Sequence, residues 1–227
     1  MKNLFIIMVV VIVLLGLGLV LGGYLMFQPA NIREPEINIG ARPLPTDKSR
    51  EMIPAIMLEE QQAVVPLPTI GARERITKKP FGLKVTVNDS PVSPERFSGY
   101  HTGVDFETSA EEQDIDLPVY AICAGPIRRA AFVSGYGGLV VQECTLDGEK
   151  VTVVYGHIKL ASVTGAVGDL LSRGNQFAVL GRGYGSETDG ERKHLHLGIH
   201  RGSGIDVRGY VQNKNELADW VDFAKYL

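Results

Sequence analysis

From residue 81 onward, apolar residues occur in short runs that alternate with polar positions, and glycine-rich turns separate these runs. A period of two places every second side chain on the same face of a β-strand, so that one face can meet a core. The runs with this character are Gly82–Val87, Val119–Ala124, Ile127–Ser134, Gly138–Cys144, Val151–His157, Gln176–Leu180 and Leu195–Arg201. Many short strands without a long amphipathic helix between them predict a mainly β domain built on an antiparallel sheet.

The C-terminal segment has a different period. Asn213 and Glu216 have the spacing of a helix capping box. The apolar residues that follow fall on one helical face, namely Leu217, Trp220, Val221 and Ala224. The pattern therefore predicts a C-terminal helix that packs on the sheet.

The most apolar segment is Leu4–Phe27, a run of 24 residues without a charged side chain. About 20 apolar residues span a bilayer, whereas the core of a signal peptide has about 7–15. Residues 1–27 are therefore predicted to form an N-terminal transmembrane anchor, with a cleaved signal peptide as the alternative. The flanking charges, Lys2 on one side and Arg33 and Arg42 on the other, do not decide the orientation.

Residues 28–80 contain eight of the twelve prolines and no aromatic residue. This composition predicts a Pro-rich linker, an extended tether that holds residues 81–227 away from the membrane. The alternative is a segment that lies across the functional groove and inhibits it, and the sequence does not distinguish the two.

Net charge and cysteine content narrow the possible functions. The chain has 227 residues and a formal net charge of −3, which gives no electrostatic basis for binding nucleic acid. Cys123 and Cys144 both lie in strand-like runs, and their spacing matches no metal motif. We expect two buried free thiols, and a disulfide between them is the alternative.

Candidate chemistry centres on the histidines, which are His101, His157, His194, His196 and His200. In the alternating segment 193–200, the last three share one strand face, and His194 and His196 are about 6.6 Å apart along the strand. His101 and Asp105, four residues apart, also share a face, and His157 ends an apolar strand. Two imidazoles and a carboxylate suit a zinc ion with an open fourth position, and further histidines can move protons.

Three segments resemble, in order, the motifs of the lysostaphin-like (LytM-type) zinc metallopeptidases: Tyr100–Phe106, Val154–His157 and His194–Leu197. Between them lie the family-like features Pro118–Ala121, Gly125, Gly135–Gly137 and Val167–Asp169. The resemblance covers about residues 81–210. It implies a lysostaphin-like antiparallel β-sheet metallopeptidase domain with a duplicated hybrid motif, holding one zinc ion.

The resemblance also assigns roles that spacing leaves open. His101, Asp105 and His196 resemble the zinc ligands of the family. His157 and His194 resemble its two catalytic histidines, which flank the metal-activated water. Judged from the strand alone, both His194 and His196 could ligate a metal. His200 matches no motif, and we expect a structural or peripheral histidine there.

The activity that the resemblance implies is zinc-dependent endopeptidase hydrolysis of cell-wall peptidoglycan, at stem-peptide cross-links or bridges. The alternatives are a catalytically silent member that binds peptidoglycan or activates another hydrolase, and a structural zinc module with four protein ligands. Peptidoglycan peptides and the membrane are the expected partners, and a regulatory protein is a further candidate partner. The expected location is the cell membrane, with a single-pass anchor and an extracytoplasmic catalytic domain.

Two features depart from the family pattern. The acidic stretch Thr108–Leu117 is expected either to line the edge of the groove or to be a solvated loop. Arg192 and Lys193 stand directly before the histidine pair, where they could meet a substrate carboxylate or face solvent.

Overall fold

A computed structural model of the chain describes residues 65–227. The predicted anchor 1–27 and the linker up to residue 64 lie outside the described residues, so both stay predictions. Among residues 65–227, no helix is long and apolar enough to cross a membrane.

Eleven strands are present in the described part of the chain, and every pair of neighbours is antiparallel. They are β1 (Lys84–Val85), β2 (Gly99–His101), β3 (Gly103–Glu107), β4 (Pro118–Tyr120), β5 (Gly125–Val133), β6 (Gly137–Leu146), β7 (Glu149–Gly156), β8 (Leu170–Leu171), β9 (Gln176–Val179), β10 (His194–Arg201) and β11 (Tyr210–Val211). A six-stranded sheet has the order β3-β10-β7-β6-β5-β8, beside a three-stranded sheet β1-β2-β11 and the pair β4-β9. The predicted mainly β, antiparallel fold is confirmed.

The two-residue period of β10 separates a core side from a polar side. Leu195, Leu197 and Ile199 are fully buried and belong to the main hydrophobic core. Burial of aliphatic side chains of this size contributes about 1.5–3 kcal/mol each. The alternate positions of the same strand carry the histidines, so the packing of the core determines which way the imidazoles point.

The predicted C-terminal helix is wrong. The capping box of Asn213 and Glu216 is present, but it opens a short 3₁₀ helix, Lys214–Asp219, and a second one follows at Phe223–Tyr226. Between them Trp220 is extended, and the Val221 N–H donates to the Ile199 carbonyl. Pairing with β3 stops at Gly198, which lies opposite the first residue of β3, so β10 has a free edge beyond that point. Pairing with this edge outweighs continuation of the helix.

The remaining helices of the described segment are single 3₁₀ turns, at Ala72–Arg75, Ala110–Glu112, Leu160–Ser162 and Ser186–Thr188. Residues 65–80 pack on the domain, since Val65 and Ala72 join the core and the Asp105 N–H donates to the Lys79 carbonyl. The C-terminal end of the predicted linker segment therefore covers the outer edge of β3.

The expectation of two free thiols is also wrong. Cys123 and Cys144 form a disulfide, with Cα atoms 6.2 Å apart. Cys123 lies just before β5 and Cys144 near the end of β6, and the antiparallel pairing of these strands brings the two side chains together. The pairing of β5 with β6 is a long-range feature that the spacing of the cysteines does not report.

Candidate metal centre

Strands β2, β3 and β10 bring one candidate ligand each to a common point. Asp105 on β3 lies directly opposite His196 on β10, and His101 ends β2, two residues before β3 begins. All three side chains are buried. The register of one strand pair thus joins residues 91 positions apart in the chain.

The candidate ligand atoms lie at nearly equal separations. His101 Nε2 is 3.0 Å from His196 Nδ1 and 3.2 Å from Asp105 Oδ1, and the third distance, His196 Nδ1 to Asp105 Oδ1, is 3.1 Å. Ligands about 2.0–2.1 Å from a tetrahedral zinc ion are about 3.3 Å apart. Two imidazoles and a carboxylate are also a donor set that zinc accepts. The three residues therefore fit a zinc ion.

The far nitrogen of each imidazole has a polar neighbour of its own. His101 Nδ1 lies 3.2 Å from the Pro80 carbonyl oxygen, to which it donates in the tautomer that leaves Nε2 free. His196 Nε2 lies 3.4 Å from the Tyr136 hydroxyl. Outer partners of this kind orient metal-binding imidazoles and fix their tautomers.

His157 and His194 stand beside the three candidate ligands. Their rings stack at a tilt with centroids 4.2 Å apart, and His194 Nε2 is 3.3 Å from Asp105 Oδ2. His194 Nδ1 lies 2.9 Å from the Arg192 carbonyl oxygen, so the N–H of this nitrogen can donate there. His157 follows β7 with a left-handed backbone, φ 62°, and its Nδ1 is buried without a hydrogen-bond partner among residues 65–227.

Burial favours the neutral form of two of these imidazoles, those of His157 and His196. Burial and the neighbouring His194 hold the pKa of His157 well below its usual range. Burial lowers the pKa of His196 to about 4, although a hydrogen bond with Asp105 acts in the opposite direction. A metal ion binds the unprotonated ring, so imidazoles that resist protonation suit this site.

Two glycines make room for these rings. A Cβ at Gly156 would lie 2.5 Å from Cδ1 of Tyr136, and a Cβ at Gly103 would lie 2.7 Å from Nε2 of His196. Real contacts of that length do not occur, so a side chain at either position would displace the ring of Tyr136 or His196. Glycine is required at both positions because of the space that it leaves.

The centre opens into a cavity of about 390 Å³. Asp105, His157, His194 and His196 line one part of it, and Tyr136 and Arg192 lie beside them. Phe97 and Tyr210 also line the cavity, and their rings stack with centroids 5.5 Å apart. A concave site with a few converging polar groups is the usual form of a ligand-binding pocket.

Arg192, Lys193 and the acidic stretch, the features that depart from the family pattern, make specific contacts within the domain. Lys193 is buried, and its Nζ donates to the carbonyls of Glu112, Gln113 and Ile115, so it holds the acidic loop instead of meeting solvent. None of residues 108–117 lines the cavity beside the histidines. Arg192 bonds to Asp105 and Glu107.

The structure brings together all five residues selected from the sequence and keeps His200 apart. His200 packs against Trp220, with ring centroids 5.0 Å apart. Sequence reasoning assigned no role to Tyr136, although the glycines on both sides of it are visible as a motif. It also missed the contact of Arg192 with Asp105, because no local pattern reports a contact between residues 87 positions apart.

Comparison with known proteins gives one family match. Residues 99–208 match the family model of peptidase family M23, and this span contains all five selected residues. A search of curated protein sequences finds no match.

Several solved structures are similar to the chain. LytU has 23% sequence identity, with 67% of this chain and 90% of that one covered and a TM-score of 0.44. The catalytic domain of lysostaphin, an antimicrobial peptidase from Staphylococcus simulans, has 24% identity over 65% of this chain and 88% of that one, with a TM-score of 0.40. A zinc-containing peptidase from Vibrio cholerae has 20% identity over 58% and 36%, with a TM-score of 0.38.

Proposed function

We propose that the chain is a zinc-dependent endopeptidase of cell-wall peptidoglycan, since residues 99–208 match the model of peptidase family M23. The bonds that it hydrolyses are peptide bonds of stem-peptide cross-links or bridges. The observation that carries the proposal is the separation of 3.0–3.2 Å between the candidate ligand atoms of His101, Asp105 and His196, with two further imidazoles beside them.

His101, Asp105 and His196 are the residues that would hold the zinc ion. When bound, zinc would supply a Lewis acid for the scissile carbonyl and would lower the pKa of a water molecule. The buried position of all three side chains excludes competing solvent from their donor atoms. Pro80 and Tyr136 orient the imidazoles of His101 and His196 through the ring nitrogen that is not a candidate ligand.

His194 and His157 are the proposed proton-handling residues. With its Nδ1–H directed at the Arg192 carbonyl, His194 would present an unprotonated Nε2, which lies beside Asp105, to accept a proton from the attacking water. The lowered pKa of His157 keeps it neutral at pH 7, so it can donate an N–H to the oxygen on which negative charge develops. The same groups can return a proton to the leaving amine.

The proposed location is the outer face of the cell membrane. Residues 1–27 would anchor the chain, and the Pro-rich linker would give the domain reach toward the wall. The disulfide between Cys123 and Cys144 supports this location, because disulfides persist in oxidising compartments and are rare in the cytosol. A regulatory protein partner is compatible with this arrangement.

The test is peptide release from purified peptidoglycan by the full-length chain in detergent, with mass spectrometry of the fragments. We expect wild type to bind one zinc ion and to release peptides, and His194→Ala to lose release while keeping most of the zinc. His200→Ala, a histidine on the same strand outside the centre, is the matched control and should cleave like wild type.

Two results would contradict the proposal. A wild-type chain that binds zinc and peptidoglycan but releases no fragment would favour the silent, binding alternative. Full cleavage by His194→Ala would remove His194 from the proposed chemistry.

A further inference from the structure

Arg192 lies two residues before His194, the first residue of β10, and continues the two-residue period of that strand. Positions 192, 194 and 196 alternate with the core residues, and Asp105 and Glu107 have the same period on β3. The antiparallel register sets His196 opposite Asp105 and His194 opposite Glu107. The side chain of Arg192 is therefore on the histidine face, next to both carboxylates.

The guanidinium of Arg192 joins these two carboxylates. Nη2 donates to Asp105 Oδ2 at 2.8 Å, and Nε donates to Glu107 Oε2 at 2.9 Å. Nη2 also contacts Glu107 Oε1. The side chain is only 11% exposed, so this arrangement is held inside the wall of the cavity.

The two oxygens of Asp105 consequently face different neighbours. Oδ1 lies 3.2 Å from His101 Nε2 and 3.1 Å from His196 Nδ1, whereas Oδ2 accepts from Arg192 at 2.8 Å and lies 3.3 Å from His194 Nε2. We infer that Arg192 is a positioning residue of the metal centre, which holds Oδ2 of Asp105 so that Oδ1 alone is presented to the ion. The inference rests on the metal-dependent function proposed above.

The geometry of arginine explains why this residue suits the role. Its planar guanidinium donates in fixed directions, and two carboxylates at its edges prevent it from rotating. A lysine ammonium is a point charge and cannot impose that plane. The negative charge of Glu107 offsets the positive charge of Arg192, so the guanidinium orients Asp105 without placing an uncompensated cation beside the metal site.

The test compares Arg192→Gln with Arg75→Gln in the full-length chain. Arg75 is a suitable control because it is also mostly buried, 16% exposed, and donates to the Glu112 carboxylate and to the main-chain carbonyl of Glu107, whereas Arg192 donates to the carboxylates of Glu107 and Asp105. Two quantities are measured for each protein: the zinc dissociation constant, by competition with a chromophoric chelator at pH 7, and the visible absorption spectrum after cobalt substitution. Neither depends on peptide cleavage.

We expect Arg192→Gln to weaken zinc binding by about 10–100-fold and to change the cobalt spectrum, as loss of an outer partner of a metal ligand does. Arg75→Gln should lower the thermal midpoint but leave both quantities as in wild type. Arg192→Lys should lie between wild type and Arg192→Gln, and it decides the question by the same criterion if the glutamine variant does not fold.

Zinc affinity and a cobalt spectrum indistinguishable from wild type in the Arg192 variants would overturn the inference, as would a wild-type chain that binds no zinc. Zinc binding that depends on Arg192 in a chain that releases no peptide would refute the proposed activity and leave the inference about Arg192 intact.

Discussion

The two ends of strand β10 carry the same kind of side chain on the same face and have different surroundings. At the N-terminal end, His194 and His196 lie within 3.1–3.3 Å of the Asp105 carboxylate, near His101 and His157. At the C-terminal end, His200 packs on Trp220, and its Nε2 is 4.0 Å from the Asp206 carboxylate. Imidazoles from one strand thus form a candidate metal centre at one end and a packing contact at the other.

The difference comes from the neighbouring strand. Strand β3 supplies Asp105 and Glu107 along the first half of β10 and begins at Gly103, opposite Gly198. Beyond that point β10 pairs with Trp220 and Val221. Neither side chain can bind a metal ion. The position of a histidine relative to the partner strand, and not its spacing along its own strand, decides whether it can share an ion.

The largest expected effect tests this comparison directly. His196→Ala should abolish stoichiometric zinc binding and peptide release, because it removes one of three candidate ligands. His200→Ala should keep both and lose about 1 kcal/mol of stability, the size of an aromatic contact. Zinc content by mass spectrometry and the free energy of unfolding in urea measure the two quantities. Equal loss of zinc in both variants would contradict the distinction between the two ends.

A second prediction concerns pH and the metal-free chain. An unfolded histidine has a pKa of about 6.5, whereas burial lowers that of His196 to about 4, and the pKa of His157 also falls. Between these values the unfolded state binds protons that the folded state does not. The stability present above pH 6.5 should therefore be lost as the pH falls toward 4, by on the order of 3 kcal/mol from His196 alone.

The thermal midpoint of the chelator-treated chain, measured from pH 7 to pH 4, checks this expectation. His196→Ala removes one titrating group, so its midpoint should depend less on pH over the same window. A midpoint that rises as the pH falls would show that the buried imidazoles are charged in the folded state.

The smallest effect concerns the space around the N-terminal end of β10. Gly156→Ala would place a Cβ 2.5 Å from Cδ1 of Tyr136. Overpacking of this kind costs about 1–3 kcal/mol, and it should also move Tyr136 away from His196. Gly204→Ala is the control, because a Cβ there meets nothing within 4 Å. Urea unfolding of both variants measures the cost, and equal stability would contradict the steric role of Gly156.

Local pattern predicted much of the fold because strand alternation is a local property. The runs that became β5, β6, β7 and β10 were recognisable from apolar alternation and glycine turns. The C-terminal helix failed for the opposite reason: residues 214–226 have a helical period, but the free edge of β10 captures Val221. The sequence pattern of residues 214–226 contains no information about the free edge of β10.

The candidate site also has a part that the sequence predicted and a part that it did not. Its five residues were selected from motifs in the sequence, and the different roles of His194 and His196 came from family resemblance alone. The partners of those residues were not predictable, since Tyr136, Pro80 and Arg192 reach the centre through strand pairings and turns. Each is distant in sequence from at least one residue that it contacts.

The amino-acid sequence by itself determined the strand-rich character of residues 81–227 and the residue types available for metal chemistry, because both follow from composition and short-range order. Only the tertiary structure decided that Cys123 pairs with Cys144, that Asp105 presents one oxygen to two imidazoles, and that His200 stands apart. The physical reason is strand register: antiparallel pairing sets distances between residues far apart in the chain, and no single segment encodes them.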